Sequence, residues 1–584
     1  MKRENFFINF VLFIFSFSLI FPYIYLDINY GFPFSITGDE DNWVAIFLHS
    51  CGICEVRAER CFSMLLFSVL CKLIKVFFED VKYISIFLKT LGCFAIVFFL
   101  FGTIKNFIRD NSISLLALAV SVLTVGDILR FSSGKLELAH SPFFGFIISR
   151  GFNPNPLIVV FLFFTFLVSQ WLSSQEKLTI SQKIVLGVAL GLNFWGQFYY
   201  YIHALLFVLL LLIFDRRRKD IFEFSFLAFF VALPALIHNF FQAKYEHADE
   251  MLQRGILLTT FRAKGFDFLL EKKNYLILFL SFVSILYLFK FEKERNLFFF
   301  WISSVILGFQ NFITGITVQE RHFYYAFYLF SIIAIFSFLK ILICRLKLMF
   351  LKKFINIFSF ILFLYPVIFF SVFLLKERFF IESMRTFSHI KEQVELKDDF
   401  EKICEWIKEN RGKVKALSVP SDISPILFRV CPYTTFLDVR TYIFIPIDED
   451  EIFRRRVLNI KLQGYDFQIY LSELEKRFGL ISDFPDLPEI RGILTDQFGF
   501  PENLKTKLKK TTEKSFLKQE YDNFLRDEFL RLENIDELKK SVVFFGLSHV
   551  IREKQKDEKE FYLKEVFRTQ KFSVYEISFN SFDF

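Results

Sequence analysis

Apolar runs long enough to cross a bilayer recur through the first 376 residues, at 6–26, 83–104, 112–128, 155–174, 182–197, 198–214, 220–242, 274–291, 296–314, 322–344 and 353–375. A hydrocarbon layer of about 30 Å needs roughly 20 consecutive apolar residues in a helix. Backbone N–H and C=O groups find no water there, so each such run must satisfy them internally as a helix. The chain is therefore expected to be mainly α, a polytopic transmembrane helix bundle of about eleven spans. With 54% hydrophobic residues, 20% aromatic residues and 89 Phe, it exceeds the apolar share of a soluble domain.

Loop charge sets the direction. With eleven spans, the short connections on the side of Lys2 and Arg3 hold Lys105 and Arg109, Lys177, Arg216 to Lys219, Lys290, Lys293 and Arg295, and Arg345 to Lys353. Basic residues collect in short loops on the cytoplasmic face. The N-terminal "MKRENFFINFVLFIFSFSLIFPYIYL" has no small-x-small cleavage pattern, so it reads as an uncleaved first helix beginning in the cytoplasm. One further run, "CFSMLLFSVLCKLIKVFF" at 61–78, would reverse every later loop if it crossed. It would also bury Lys72 and Lys75 in hydrocarbon at about 2.5–3.5 kcal/mol each. It reads instead as a surface helix.

The loop at 27–82 and everything after Lys376 then face outward. The net charge of +8 belongs to topology, and no nucleic acid is expected as a partner. From 377 to 584 charge rises and apolar density falls, which suits an extracytoplasmic α/β domain. "DDFEKICEWIKENRGKVKALSVP" reads as a helix and a strand. "DEIFRRRVLNIKLQG" and "YLSELEKRFG" read as helices, and "IRGILTD", "SVVFFGL" and "KFSVYEI" as strands. With no GxGxxG, P-loop, GxSxG or HExxH, the tail reads as a packing or acceptor-guiding module.

"HSCGICEVRAERC" offers His49, Cys51, Cys54 and Cys61. Without a second clean ligand pair, these suit a local disulfide or ordinary side chains better than zinc or redox chemistry. Sequence does not fix whether Cys404 and Cys431 pair. His203 and His322, at the starts of apolar runs, read as interfacial residues.

"TGDEDNWVAIFLHS" places Asp39, Glu40 and Asp41 in the outer loop. Thr37 and Glu40 have capping-box spacing, and acids favour the first turn of a helix. A cap needs one acid, whereas three charges beside lipid suit chemistry: one carboxylate takes a proton and a neighbour holds a divalent cation. A phosphate leaving group calls for a cation on the same side, and "TVQERHFYYAFYLF" supplies Arg321. Its plainer role is an anchor paired with Glu320, beside an aromatic belt of Tyr324, Tyr325 and Tyr328.

The acidic loop after the first span, the surface helix, "ERHFYYAFYLF", "GLNFWGQFYYYIHALLFVLLLLIF" and an outward tail together resemble the GT-C superfamily of membrane glycosyltransferases. Within it, the chain is most similar to bacterial proteins related to dolichyl-phosphate-mannose-protein mannosyltransferases and aminoarabinose transferases. The resemblance implies a polyprenyl-phosphate sugar donor, a glycan, lipid or protein acceptor, and transfer on the outer face of a bacterial inner membrane. It implies a base at Asp39 or Asp41 with Glu40 in support, and donor-phosphate binding by Arg321, with Lys244 and His247 as weaker candidates. The superfamily's second outer-loop acid has no clean counterpart. "KLELAHSPFFGF" offers Glu137, with His140 where an acid is expected, so a divalent cation (Mg or Mn) stays open. A transporter and a non-catalytic envelope scaffold are the rival readings.

Overall fold

The structure, a computed structural model, describes residues 2–30, 65–122, 155–243, 257–259, 272–308, 316–318, 321–375, 395–437, 449–465, 514–554 and 560–579, apart from scattered positions within these ranges. The chain divides into two compact units. The first holds helices α1 (Lys2–Tyr30), α2 (Leu65–Ile74), α3 (Val81–Ile108), α4 (Asn111–Val122), α5 (Asn155–Ser174), α6 (Ile180–Leu192), α7 (Phe198–Phe214), α8 (Arg218–Ala243), α9 (Lys272–Leu288), α10 (Glu292–Gly308), α11 (Arg321–Arg345) and α12 (Met349–Leu375). Each apolar run contributes a helix. Two short strands are also described, β1 (Leu257–Thr259) and β2 (Ile316–Val318).

Among the described residues, four helices are long and apolar enough to cross a membrane: Lys82–Ile108, Arg218–Ile237, Ala326–Arg345 and Phe350–Ile368. Phe6–Phe21 and Tyr23–Asn29, bent by 41°, make a fifth if they form one span. Pro22, with no N–H to give the helical ladder, occupies that break. The remaining apolar helices are shorter. The surface-helix candidate has ten described residues in α2, about 15 Å at 1.5 Å per residue, half the depth of a bilayer core.

Close packing comes from small residues. Gly187 and Gly191 of α6 lie against α8, where an added Cβ would sit 2.8 Å from Phe224 O and 2.7 Å from Ala228 O respectively. This is the close helix approach that small residues four apart permit in lipid. Trp195, just past α6, donates to Val231 O at 2.7 Å. Thr179 starts α6 with a capping box: its hydroxyl accepts from Gln182 N and Gln182 Oε1 accepts from Thr179 N.

The short basic connections adjoin one another. Lys352, after the α11–α12 turn, pairs with Asp110 of the α3–α4 turn at 3.3 Å, and Ser173 of α5 donates to Asn106 O of α3 at 2.9 Å. Arg217 of the α7–α8 turn lies 4.3 Å from the ring of Trp171 in α5, and Leu178 N donates to Asp220 at 3.3 Å. Phe214 stacks on Phe299 of α10 at 5.8 Å, and Arg345 reaches Tyr287 of α9 at 5.6 Å. Five connections thus form one end of the helical unit, the basic end.

The second unit holds α13 (Lys397–Glu409), β3 (Ala416–Ser418), β4 (Thr435–Phe436), α14 (Glu449–Leu462), α15 (Lys514–Arg531), α16 (Ile535–Phe544), β5 (His549–Glu553), β6 (Leu563–Arg568) and β7 (Phe572–Ile577). Its sheet runs β4-β3-β5-β7-β6. β3 is parallel to β4 and β5, while β7 is antiparallel to β5 and β6. Val457, Leu458, Leu532, Leu538 and Val550 form the core between α14–α16 and the sheet. The buried carboxylate of Asp399 in α13 accepts from Gln570 N at 2.8 Å, which ties α13 to the β6–β7 turn. Cys404 and Cys431 are joined as a disulfide, with Cα atoms 5.3 Å apart.

One strand expectation is corrected. "SVVFFGL" is the end of helix α16 and the turn after it. Asn534 accepts from Asp536 N at 2.9 Å, and the acids Asp536 and Glu537 occupy the first turn. Cap and dipole nucleate a helix whose buried Leu538, Ser541 and Val542 outweigh the β preference of Val542–Phe545. "YLSELEKRFG" and "IRGILTD" lie outside the described residues.

Candidate functional site

α11 ends at the basic end with Arg345. Its first residue, Arg321, therefore opens the opposite end, about 37 Å away along a 25-residue helix. The first N–H groups of a helix have no intrahelical acceptor, and the macrodipole places partial positive charge there. That field favours an anion. The side chain of Arg321 and His322 lie outside what is described.

The same end holds a buried ion pair. Lys89, in the first third of α3, sets Nζ 2.8 Å from both carboxylate oxygens of Asp27 near the end of α1. Ser85, one turn earlier, donates to Asp27 Oδ2 at 3.0 Å. Both charged groups are almost fully enclosed. Charges in a bundle persist when paired and hydrogen-bonded, and one acid with a cation and a hydroxyl on its oxygens is neutralised in place. The pair is therefore a firm clasp between α1 and α3. The helix ends it joins are those that lead into and out of residues 31–80, where Asp39, Glu40 and Asp41 stand in the sequence.

His203 is enclosed by the helices of the first unit. It is 3% exposed, with Nε2 2.9 Å from Ser303 Oγ of α10 and its ring between Phe161 at 5.2 Å and Phe330 at 5.9 Å. Its Nδ1 has no partner among the described residues. Four helices thus converge on one imidazole. Trp301 of α10 makes a second polar knot, donating towards Ser281 at 3.1 Å and Ser331 at 3.2 Å.

Asp39, Glu40, Asp41, Lys244, His247, Glu137 and His140 all lie outside the described residues, as do His49, Cys51, Cys54 and Cys61. Among the described residues, no group of three metal-ligating side chains gathers. The sequence reading missed the Asp27–Lys89 pair. A lysine within the run 83–104 and an acid directly after the run 6–26 are the signal that it left unused.

No family model matches this chain, and no curated protein does so either.

Proposed function

We propose that this protein is an integral membrane glycosyltransferase that moves a sugar from a polyprenyl-phosphate donor to a glycan, lipid or protein acceptor on the outer face of the membrane. The single observation that supports the reading most is the end-to-end polarity of the helical unit. One end carries the basic connections. The other carries the start of α11 at Arg321 and the clasped ends of α1 and α3 that flank the acidic segment. In this reading all eleven apolar helices cross, the basic end is cytoplasmic, and residues 377–584 form an extracytoplasmic domain. The Cys404–Cys431 disulfide supports the last point, because disulfides persist in oxidising compartments.

In the proposed reaction, Asp39 or Asp41 takes the proton of the acceptor group as its oxygen or nitrogen bonds to the sugar's anomeric carbon. The bond from that carbon to the donor phosphate breaks, and polyprenyl phosphate leaves with its charge met by Arg321, the α11 N-terminus, Lys244 and His247. Glu40 supports the base. A divalent cation, Mg or Mn, would supply further charge neutralisation beside these acids, with Glu137 and His140 the second outer-loop candidates for it.

A transfer assay in membranes with lipid-linked sugar tests the reading. At least one of Asp39→Asn and Asp41→Asn is expected to insert normally and lose transfer by about a hundredfold or more, the worth of a general base. Arg321→Lys, which keeps the charge but loses the planar fork, should weaken donor use without loss of folding. Full activity in both Asn variants would end the assignment.

The buried Asp27–Lys89 pair favours a transporter as the second reading, since intramembrane charges mark transport paths. Yet Lys89 stands only about 12 Å from the start of α3, whereas transport sites lie near the midplane. A transporter would move the lipid-linked sugar between leaflets and form no new glycosidic bond.

A further inference from the structure

At the basic end, two cations converge on one aromatic ring. Lys290 Nζ, just past α9, lies 5.9 Å from the centre of the Tyr287 ring, and Arg345 Cζ, the last residue of α11, lies 5.6 Å from the same centre. Arg345 also lies 5.4 Å from the Phe291 ring. The turn that presents them is tight, with Lys290 N donating to Tyr287 O at 3.3 Å and Phe291 N to Leu288 O at 2.9 Å. Neither cation has an ion pair among the described residues, unlike Arg217, which pairs with Asp215, and Lys352, which pairs with Asp110.

Two like charges on one ring repel, and something must offset them. The C-termini of α9 and α11 end here, each contributing about half a negative charge. These partial charges are smaller than the two whole positive charges, and among the described residues no carboxylate pairs with either cation, so the corner stays cationic. Around it, Leu286, Phe289 and Leu346 are each at least half exposed. An anionic group attached to acyl chains matches both the charge and the surroundings.

We propose that the Tyr287–Lys290–Arg345 corner binds the phosphodiester of a monoanionic phospholipid, its acyl chains lying along Leu286, Phe289 and Leu346. This site stands on the membrane placement of the helices alone and is independent of sugar transfer. Rings hold the cations in place before the lipid arrives, through cation–π contacts. The phosphate then accepts hydrogen bonds from the guanidinium and the ammonium.

The test uses the full chain in detergent, with retained lipid counted by native mass spectrometry. Phosphatidylglycerol is expected to bind, and phosphatidylcholine to bind much more weakly. Lys290→Gln with Arg345→Gln should lower phosphatidylglycerol affinity by about 10- to 30-fold, given the contribution of each basic residue at a lipid surface. Arg109→Gln with Lys177→Gln removes the same charge elsewhere on the basic end and should leave the affinity unchanged. If the double variant does not yield folded protein, Tyr287→Leu carries the test, because it keeps both charges and removes the ring that gathers them. Equal loss in the two double variants, or no loss with Tyr287→Leu, would mean diffuse charge and no site. Equal binding of phosphatidylcholine, or displacement by soluble glycerol 3-phosphate, would overturn the lipid assignment.

Discussion

Lys89 and Asp27, 62 positions apart in sequence, meet with the lysine nitrogen 2.8 Å from both carboxylate oxygens. Removing one partner leaves the other charged and enclosed, at a cost of about 3–5 kcal/mol, whereas replacing both by apolar residues is often neutral. Lys89→Met is therefore expected to unfold far below the wild type in detergent. Asp27→Leu with Lys89→Met should recover most of the loss. A double variant as unstable as the single would show that hydrogen bonds such as that from Ser85, and not charge balance, set the cost.

Gly191 tests the packing of α6 on α8. Alanine favours a helix over glycine by about 1 kcal/mol, but here its Cβ would sit 2.5 Å from Val231 Cβ and 2.7 Å from Ala228 O. A backbone oxygen cannot step aside as a side chain does, so overpacking of about 1–3 kcal/mol wins. Gly191→Ala should lower the unfolding temperature. Gly412→Ala, where a Cβ meets nothing within 4 Å, should change it little.

The helices were legible because hydropathy is a sum over some twenty residues, and each apolar run has one structural solution in lipid. Summation also hid Lys89, whose single charge vanishes inside a strongly apolar run. α16 was misread for the opposite reason. Its signal lies in the cap Asn534 and in Asp536 and Glu537, before the β-branched residues that attract attention. The basic end was legible only as loop charge. Its assembly, with Arg345 on Tyr287 and Lys352 on Asp110, is tertiary and leaves no local pattern. The same holds for the disulfide, since nothing near Cys404 or Cys431 names its partner. Asp39, Glu40 and Asp41 were conspicuous in the sequence, and their chemistry rests on the transfer assay.

His549 gives the second unit a pH response. Burial holds its pKa below the ordinary histidine value of 6.5, partly offset by the charge of Glu576. Its Nδ1 lies 2.9 Å from Ser548 Oγ, and its ring meets Trp406 edge-on at 5.4 Å. With the folded pKa depressed, the unfolded chain takes up the proton first as pH falls. The contribution of His549 is thus whole above about pH 6.5 and is lost as pH falls from there through the folded pKa. The wild type should melt at a lower temperature at pH 5.5 than at pH 7.5. His549→Gln should narrow that difference, and an equal difference in both would assign it to other groups.

The Cys404–Cys431 bond tests fold and sidedness together. It closes a loop with a sequence separation of 27, and a constraint of that size contributes about 2–4 kcal/mol. It also clamps α13, which carries Asp399 to the β6–β7 turn, so its loss should loosen both. Cys404→Ser is expected to lower the stability of the second unit and to expose residues near Cys431 to proteolysis. Outside the membrane the bond forms as the unit folds. In the reducing cytoplasm both thiols would stay free. Thiol labelling of intact cells, before and after reduction, should find these two cysteines unreactive until a reductant is added. A reporter fused at Arg217 should read as cytoplasmic, and one at Asp450 as external. Both reporters on one side, with Cys404 and Cys431 free in the cell, would invert the tail and remove the outer-face enzyme with it.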